Sequence, residues 1–386
     1  MIVKLSDAFD LQMGKTPDRN DPACWGGAHK WVSIADLTKA GKYITDTKEC
    51  ITDRGIEKSG IKPVPKGTVI MSFKLSIGKT AITTEEIYTN EAIMAFIDKG
   101  TYEIDTNYIY HLFSGKDWLE GSNKAVLGLT LNKATLSQKT IELPPLAVQK
   151  KGVEVLDRMD SLISLRKKQM QKLDDLVKSR FVEMFGDPVR NEMEWQTKAL
   201  EDACKSIVDC PHSTPSYTSE DTGFMCIRTS IVKKNRIMWE DIEYIPEEEY
   251  IQRIQRKKPE KGDVIYTREG AILGIAAVLD RDCNVALGQR SMLLSPDRAF
   301  CTPEFISVAM NFDSFLDNAL KGMSGSASPH INVGDIKAFK MILPPIAQQE
   351  AFSTFVAQID KSKLTVQQGL DKLELLKQSL MQKYFG

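Results

Sequence analysis

The residue types that could perform chemistry are scattered in this sequence and do not form a recognisable reactive set. Cys204, Cys210 and His212 come nearest to a metal site, but their C-x5-C-x-H spacing matches no usual zinc pattern and supplies too few ligands. The seven cysteines are an odd number without a C-x-x-C pair, which favours reduced thiols in the cytosol. We therefore predict no metal site.

Phosphate-binding and nucleophilic motifs are also missing from the sequence. The segment "SIGKT" (76–80) resembles the end of a P-loop, but that motif needs a glycine where Phe73 stands, and a lysine at a strand edge explains it better. There is no G-x-S-x-G, no H-E-x-x-H and no Asn/Asp-Pro-Pro-Tyr/Phe motif for amino-methylation. The four histidines have no obvious nucleophile or acid beside them. We expect a chain that binds rather than catalyses.

Length and charge are those of an ordinary globular chain. The 386 residues suit two or three domains, and 51 basic against 52 acidic side chains give a net charge of −1. A polyanion could bind only where positive charge gathers on one face. No apolar run approaches the roughly 18 residues of a membrane span, and the N-terminal residues do not resemble a secretory signal. We expect no membrane contact and a cytoplasmic location.

An internal repeat organises the whole sequence. Residues 143–186 align with residues 343–386 without a gap, from "LPPLAVQ" against "LPPIAQQ" to Phe-Gly at both ends. Earlier segments correspond at an offset of 195, such as "KGTVI" (66–70) with "KGDVI" (261–265), so the second copy has five extra residues between Ile265 and Leu343. The repeat predicts two related variable regions, each followed by a similar long element.

The long repeated element reads as a helix. The Pro-Pro pair fixes its start, and no further proline occurs from Leu146 to Phe181, a rod of about 54 Å at roughly 1.5 Å per residue. Apolar residues recur at heptad-like spacing, so we expect the two rods to pack on each other as an antiparallel pair; the alternative is a generic dimerisation coiled coil. The predicted interface residues are Leu156, Ile163, Met170, Leu173, Leu176, Val177, Ile359, Val366, Leu370, Leu373 and Leu380.

The two variable regions have α/β character. Apolar strand patterns such as "GTVIMSF" and "GDVIYT" follow Lys-Gly turns in both. A shared frame with different loops is typical of two recognition domains with different targets. The predicted division is a first domain at 1–142, a helical region at 143–189, a second domain at 190–342 and a second helical region at 343–386.

This layout resembles the specificity subunits of type I restriction–modification enzymes. The resemblance rests on segments 143–188 and 343–386, in which Leu-Pro-Pro-Leu/Ile-Ala-x-Gln precedes a long helix that ends in Phe-Gly. It covers the whole chain as architecture. It implies two globular α/β (α+β) target-recognition domains, separated by an antiparallel pair of long coiled-coil-like helices with internal pseudo-twofold symmetry. Each domain would read one half of a bipartite site in double-stranded DNA.

The resemblance also implies partners and the cofactors that they carry. The helices would set the unread spacer and dock two methyltransferase subunits, which hold S-adenosylmethionine and modify adenine. Restriction subunits that use ATP and Mg²⁺ would join them, while this chain would bind no cofactor and have no active site. The near-neutral charge then fits phosphate affinity shared with the methyltransferase. The alternatives are a helical scaffold whose end domains bind proteins, and an enzyme with an unfamiliar site.

Loop residues supply the candidates for DNA contact. Arginine reads guanine and Asn or Gln reads adenine in the major groove, although any single candidate is more often a phosphate contact or a solvated side chain. The segments "REGAILG" (268–274) and "GQRS" (288–291) are the strongest, because glycine beside arginine lets the backbone approach the duplex. The candidates are Lys15, Thr16, Lys30, Trp31, Lys74, Lys79, Asn123 and Lys124 in the first domain, and His212, Ser213, Arg228, Thr229, Arg268, Gln289, Arg290, Ser326, His330 and Asn332 in the second.

Overall fold

The chain divides into two units that share both long helices. The computed structural model describes residues 1–74, 76–119, 131–321 and 330–385. Unit 1 comprises Met1–Lys167 and Gln368–Gly386, and unit 2 comprises Lys168–Gln367. Within the described ranges, no helix is both long enough and apolar enough to cross a bilayer.

Unit 1 combines short strands with short helices and the first part of a long helix. Its strands are β1 (Ile2–Lys4), β2 (Phe9–Met13), β3 (Trp25–Val32), β4 (Tyr43–Ile44), β5 (Glu49–Ile51), β6 (Val69–Ser72), β7 (Thr80–Thr83), β8 (Tyr88–Thr89), β9 (Ile93–Asp98) and β10 (Thr140–Glu142). Its helices are α1 (Leu5–Ala8), α2 (Ile34–Lys39), α3 (Asp53–Ser59), α4 (Thr106–Gly115), α5 (Lys133–Gln138) and the start of α6 (Leu146–Phe185), with a 3₁₀ turn at Pro22–Cys24. The sheets have the orders β2-β9-β6-β7-β4, β5-β3-β8 and β1-β10.

Unit 2 repeats this plan with a different set of short elements. Its strands are β11 (Thr197–Ala199), β12 (Cys204–Asp209), β13 (Met225–Ile227), β14 (Val232–Lys233), β15 (Arg236–Ile237), β16 (Glu243–Tyr244), β17 (Val264–Thr267), β18 (Ala276–Val278), β19 (Val285–Leu287), β20 (Ser291–Pro296) and β21 (Lys340–Ile342). Its helices are α7 (Glu247–Arg253), α8 (Pro303–Met310), α9 (Asp313–Leu320), α10 (Val333–Lys337) and α11 (Ile346–Phe385), with 3₁₀ turns at Leu200–Ala203, Thr229–Ile231 and Trp239–Asp241. The sheets have the orders β12-β20-β17-β18, β16-β13-β19, β14-β15 and β11-β21.

The strand registers show that the two copies of the internal repeat pair corresponding strands in the same way. In unit 1, β6 pairs antiparallel with β9 so that Val69 lies opposite Phe96. In unit 2, β17 pairs antiparallel with β20 so that Val264 lies opposite Leu294. The offset between the copies therefore rises from 195 to 198 along these strands, so three of the five extra residues lie between β17 and β20. The parallel pairs β3–β8 and β13–β19 correspond as well.

The long helices α6 and α11 run antiparallel within each unit. In unit 1, Lys167 Nζ lies 3.1 Å from Glu374 Oε1. In unit 2, Lys363 Nζ lies 2.6 Å from Asp174 Oδ1. Lys377 also contacts Asp160 in unit 1, and the Phe352 ring lies 5.5 Å from that of Phe181 in unit 2. Within each unit the residue number therefore rises along one helix as it falls along the other, which confirms the antiparallel pairing predicted from the repeat. Each helix has 40 residues, four more than the span predicted from the sequence.

Most of the predicted interface residues of the long helices lie in or beside their packed seam. The buried ones are Leu156, Ile163, Val177, Ile359, Val366 and Leu370. The half-buried ones are Met170, Leu173, Leu373 and Leu380. Leu176 differs, because 46% of it is exposed on the outer side of α6. It directly precedes the buried Val177, and neighbouring residues of a helix point about 100° apart, so only one of the two can face the partner helix.

The Phe-Gly ending of each long helix has a packing role. Phe181 and Phe185 are fully buried in the core of unit 2, where their ring centroids lie 5.2 Å and 5.1 Å from that of Phe305 in α8. In unit 1, Phe385 stacks on Tyr108 of α4 with the centroids 4.7 Å apart. Aromatic pairs at these distances add to the free energy of area burial. The last turn of each long helix is therefore part of a domain core.

Candidate nucleic-acid interface

The same three loops meet in both units. Strand β9 runs antiparallel between β2 and β6, so the loop before β9 lies beside the loops that follow β2 and β6. Strand β20 lies between β12 and β17 in the same way. We call each meeting point of three loops a junction. Because loops carry most recognition residues on a rigid frame, the junctions are the sites to test for the predicted DNA contacts.

Backbone hydrogen bonds hold the two junctions in matching geometry. Phe73 N donates to Ala92 O at 3.0 Å in unit 1, and Arg268 N donates to Arg290 O at 3.0 Å in unit 2. The loop that precedes β9 or β20 is also tied to the neighbouring parallel pair, for instance through Gly288 N, which donates to Ile227 O at 2.9 Å. The frame is therefore shared, while its side chains differ.

A buried ion pair organises the junction of unit 2. Arg268 Nε and Nη2 lie 3.0 Å and 3.2 Å from the two carboxylate oxygens of Asp209, a bidentate arrangement, and Nη1 lies 2.7 Å from Glu269 Oε1. Its side chain is only 6% exposed. His212 lies 3.0 Å from Asp209 and is 63% exposed. In this structure Arg268 therefore positions the loops, and His212 is the member of the group that faces outwards.

A second arginine, Arg253 of α7, positions the loop after β12. Its Nη2 donates to Ser213 O at 2.9 Å and to Ser213 Oγ at 3.1 Å, while its Nε lies 2.9 Å from Glu249. Next to Ser213, Thr214 Oγ1 donates to Gln289 Oε1 at 3.3 Å. The predicted residues Ser213 and Gln289 are thus brought into one junction by contacts that include a fully buried arginine.

Arg290 is the exposed cation of this junction. Its backbone has a φ of 72°, a left-handed value that is strained for a residue with a side chain. A Cβ at Gly270 would lie 3.4 Å from Arg290 Nη1, so the glycine leaves room for the guanidinium. Among the described residues, the guanidinium has no hydrogen-bond or ion-pair partner. Its donors are therefore available to a ligand.

Four further candidates of unit 2 lie beside the same junction. Glu269 and His330 form an isolated β-bridge, and Asn332, the residue before α10, donates from Nδ2 to Asp335 Oδ2 at 3.1 Å. Arg228 and Thr229 follow β13, whose parallel partner β19 leads into the junction. Arg228 also contacts Glu243 and lies 4.7 Å from the centre of the Tyr217 ring.

At the junction of unit 1, neutral and acidic side chains tie the loop after β2 to the loop before β9. Thr16 Oγ1 donates to Glu91 Oε2, and Asn90 Nδ2 donates to Thr16 Oγ1 at 3.0 Å and to Glu91 at 2.9 Å. Lys15 Nζ donates to the carbonyl oxygens of Ser59 at 3.0 Å and Gly60 at 3.2 Å, at the end of α3. The two junctions therefore present different chemistry on the same frame.

The remaining candidates of unit 1 have separate surroundings. Trp31 is buried, and its ring Nε1 donates to Lys15 O at 3.0 Å, so it supports the loop from within. Lys30 Nζ is paired with Glu85 at 2.6 Å. Lys74 lies 5.2 Å from the centre of the Phe73 ring, and Lys79 is exposed. Asn123, Lys124 and Ser326 lie outside the described residues.

Several junction residues escaped the sequence analysis. Asn90 and Glu91 occupy the place that Gly288 and Gln289 occupy in unit 2, but an alignment at the constant offset of 195 does not bring these positions together. Asp209 and Arg253 were missed for another reason. Nothing in the sequence shows that an isolated charged residue will form an ion pair, as Asp209 does with Arg268 and Arg253 does with Glu249. The strand ends "YTNEA" (88–92) and "ALGQR" (286–290), which correspond at an offset of 198, were the available signal.

The two cysteines of the metal cluster considered and rejected from the sequence, Cys204 and Cys210, have unreactive thiols. Burial raises the pKa of Cys204 to about 12 and also raises the pKa of Cys210. Their thiols are protonated near neutral pH, a state that is a poor nucleophile and a poor metal ligand. Over the part of the chain that the structure describes, no group of three or more metal-ligating side chains comes together.

Comparison with known proteins decides the family. The family model for the type I restriction modification DNA specificity domain matches residues 1–175 and again residues 192–375. The chain belongs to this family. The doubled match coincides with the internal repeat, and the resemblance drawn from the sequence is confirmed. The alternative of a helical scaffold that binds only proteins is not favoured.

Relatives in the specificity-domain family match most of the chain. The specificity subunit of the type I restriction enzyme MjaIX from Methanocaldococcus jannaschii is 23% identical, over 99% of this chain and 91% of that protein. The EcoKI specificity subunit of Escherichia coli strain K12 is 22% identical, over 73% of this chain and 65% of that protein.

Two solved structures share the fold at low sequence identity. A chain from a type I R-M system, studied for its complex assembly and conformational transition, superposes with a TM-score of 0.59 at 18% identity, over 100% of this chain and 97% of that one. The type I S subunit of M. genitalium superposes with a TM-score of 0.52 at 12% identity, over 100% of this chain and 96% of that one. The predicted fold class, two α/β domains with long coiled-coil-like helices, is confirmed.

Proposed function

We propose that this chain is the DNA-recognition subunit of a type I restriction–modification complex and that each junction reads one half of a bipartite duplex site. The observation that carries the proposal is the repeated junction, in which three matching loops present different side chains. A reader of two different half-sites needs that combination, because the frame fixes the approach and the side chains select the bases.

The two junctions are suited to different base sequences. Arg290 and Gln289 in unit 2 offer the forked donors and the amide that select guanine and adenine in the major groove. Glu91 in unit 1 offers a carboxylate, which accepts from the exocyclic amine of cytosine. Each domain then contributes its own half of the recognition sequence. The proposed domains are residues 1–142 and 190–342, with the helical regions 143–189 and 343–386 between and after them.

The long helices are proposed to set the spacer and to dock two methyltransferase subunits. Large apolar side chains remain exposed on both helices, and exposed apolar surface commonly marks a protein interface. The exposed apolar residues are Val148, Leu162, Leu165, Leu176, Val182, Leu364, Leu375 and Leu376. The docked subunits would hold S-adenosylmethionine and methylate adenine, and restriction subunits would supply the ATP- and Mg²⁺-dependent activity. Catalysis would then reside outside this chain.

The near-neutral net charge agrees with a shared DNA-binding surface. A chain of net charge −1 has little long-range attraction for phosphate, so the methyltransferase subunits would supply much of it. A salt titration tests this point. An affinity that falls with salt as steeply for the isolated chain as for the assembled complex would contradict it.

The direct test is to co-express this chain with the methyltransferase subunit of its own system and to sequence the methylated host DNA. We expect adenine methylation in a single bipartite motif with a fixed spacer, and no such motif when this chain is omitted. Methylation that continues unchanged without the chain, or that follows a continuous motif, would contradict the proposal.

A further inference from the structure

One glutamine recurs in both copies of the repeat and is almost fully buried in each. Gln149 of α6 is 1% exposed, and Gln349 of α11 is 0% exposed. Each is the final residue of the "LPPxAxQ" segment, one turn after the Pro-Pro pair. Burying a primary amide is costly unless its donors and its acceptor are all satisfied.

In unit 1 the Gln149 side chain joins three separate backbone segments. Its Oε1 accepts from Asp105 N at 2.9 Å. Its Nε2 donates to Glu103 O at 2.9 Å and to Pro144 O at 2.9 Å. Asp105 is the N-cap of α4, where its carboxylate also accepts from Asn107 N at 2.8 Å. The amide therefore ties the start of the long helix to the start of a domain helix.

In unit 2 the Gln349 side chain makes the equivalent three bonds. Its Oε1 accepts from Thr302 N at 3.1 Å, and Thr302 is the N-cap of α8. Its Nε2 donates to Phe300 O at 3.0 Å and to Pro344 O at 2.8 Å. In both copies the carbonyl acceptor on the domain side lies two residues before the N-cap residue. The contact is thus repeated in every chemical detail although the two domains differ in sequence.

Glutamine is the residue that this arrangement requires. The three bonds need one acceptor and two donors at the end of a side chain of fixed length, which a primary amide supplies. A glutamate would keep the acceptor but place a carboxylate against two carbonyl oxygens, and an asparagine is one methylene shorter. Loss of the amide removes the partner of one backbone N–H and of two carbonyl groups at a site where the side chain itself is buried.

The domain helices connect this contact to the junctions. Helix α4 packs against β6 and β7, and α8 packs against β17, β18 and β20. Arg268 directly follows β17, and Arg290 directly precedes β20. In unit 1, Phe73 and Lys74 directly follow β6. An amide that fixes α4 or α8 on the long helix therefore also fixes the direction in which the junction loops face.

We propose that Gln149 and Gln349 are positioning residues that set the angle of each recognition domain on its long helix and so enforce the spacer between the half-sites. This inference rests on the proposed function and adds to it the residues that transmit the spacing. Gln149 acts through α4 on the first domain, and Gln349 acts through α8 on the second. The matched pair makes the two domain–helix connections equally stiff.

The test compares methylation by assembled complexes on DNA sites whose spacer is the cognate length, one base pair shorter or one base pair longer. The variants are Gln149→Met and Gln349→Met, which keep the volume and remove the amide, and Gln149→Glu, which keeps the shape and removes both donors. Gln348→Met is the control, because Gln348 is the exposed neighbour of Gln349. We expect the preference for the cognate spacer to fall by about tenfold in all three variants and to be unchanged in the control.

A general loss of stability would have a different signature. It would lower methylation of all three DNA sites by the same factor and leave the spacer preference intact, and that result would overturn the inference. A variant that fails to assemble counts against it too, since a positioning residue changes the choice between spacers. If the wild-type complex modifies no bipartite site, the proposed function itself fails; if only the spacer preference of the variants is unaffected, this inference alone fails.

Discussion

At the scale of single residues, the two junctions share a backbone frame but carry different side chains. Unit 1 places the Glu91 carboxylate where unit 2 places the amide of Gln289, and the neutral Ala92 where unit 2 places Arg290. The carbonyl of Arg290, whose backbone is strained, accepts the hydrogen bond from Arg268 N, and its guanidinium has no partner within the described ranges. Strain of this kind is commonly found at functional sites, where the surrounding structure enforces it.

Replacing Arg290 tests the base-reading role of this junction. We expect Arg290→Ala to reduce discrimination at one position of the second half-site by about 1–3 kcal/mol, because a bidentate contact to guanine would be lost. The measurement is binding of the assembled complex to cognate DNA and to DNA substituted at each position of that half-site. Arg281→Ala is the control, since Arg281 is an exposed arginine of the same unit that is paired with Asp280. An equal loss on every DNA sequence would identify Arg290 as a phosphate contact instead.

A titratable cluster around the buried His111 joins the first domain to α6. His111 of α4 is 2% exposed, and its Nε2 lies 2.8 Å from Asp157 Oδ1. Lys42 Nζ donates to both oxygens of Asp157 at 2.7 Å. Burial lowers the pKa of His111, although the hydrogen bond to Asp157 acts in the opposite direction. Burial alone would raise the pKa of Asp157, but the hydrogen bonds from Lys42 and His111 lower it.

The lowered pKa of His111 predicts a loss of stability on mild acidification. Because protonation is less favourable in the folded state, this stabilising contribution is complete above the unfolded histidine pKa of about 6.5 and is lost as the pH falls through the folded value. We expect His111→Gln to reduce the fall in Tm between about pH 7.5 and about pH 5.5. His330→Gln, at an exposed histidine, is the control. An identical pH profile in wild type and His111→Gln would refute the assignment.

At the scale of elements, the long helices were predictable and the loops were not. The Pro-Pro pair, the absence of further proline and the heptad spacing are local signals, so the helices and their seam follow from the sequence. Two apolar stripes run side by side on α6, and only packing decides which residues face the partner helix: Val177 is buried there, whereas Leu176 is 46% exposed. The junctions depend on contacts between distant segments, such as the ion pair of Asp209 with Arg268, which local patterns do not encode.

The proposal that the long helices set the spacer can be tested by lengthening both helices equally, so that their contacts stay in register. We would insert one heptad after Leu173 in α6 and one after Lys363 in α11, which keeps Asp174 and Lys363 on the same side of both insertions. Seven residues add about 10.5 Å, or about three base pairs of duplex. We expect the methylated motif to keep both half-sites and to gain about three base pairs of spacer.

An insertion in one helix alone is the matched control for this experiment. It puts the apolar seams of α6 and α11 out of register, so we expect loss of methylation rather than a longer spacer. If a complex with both insertions still methylates sites with the original spacer, the proposal that helix length sets the spacer is contradicted.

At the scale of the whole molecule, the chain is an internal duplication of one recognition unit. The doubled family match, the matching sheets and the repeated contacts of Gln149 and Gln349 describe a frame that is held constant while its junctions differ. Its architecture was predictable because a repeat is visible without any structure. The identity of the bases was not, because it depends on a few exposed side chains in loops that diverge between the copies.

The most direct test of this account is to replace residues 1–142 with the corresponding domain of another specificity subunit and to sequence the methylated DNA of the host. The account predicts a motif in which one half-site is replaced by that of the donor, while the other half-site and the spacer length are unchanged. A motif in which both half-sites change, or in which neither does, would contradict the claim that the two domains read DNA independently.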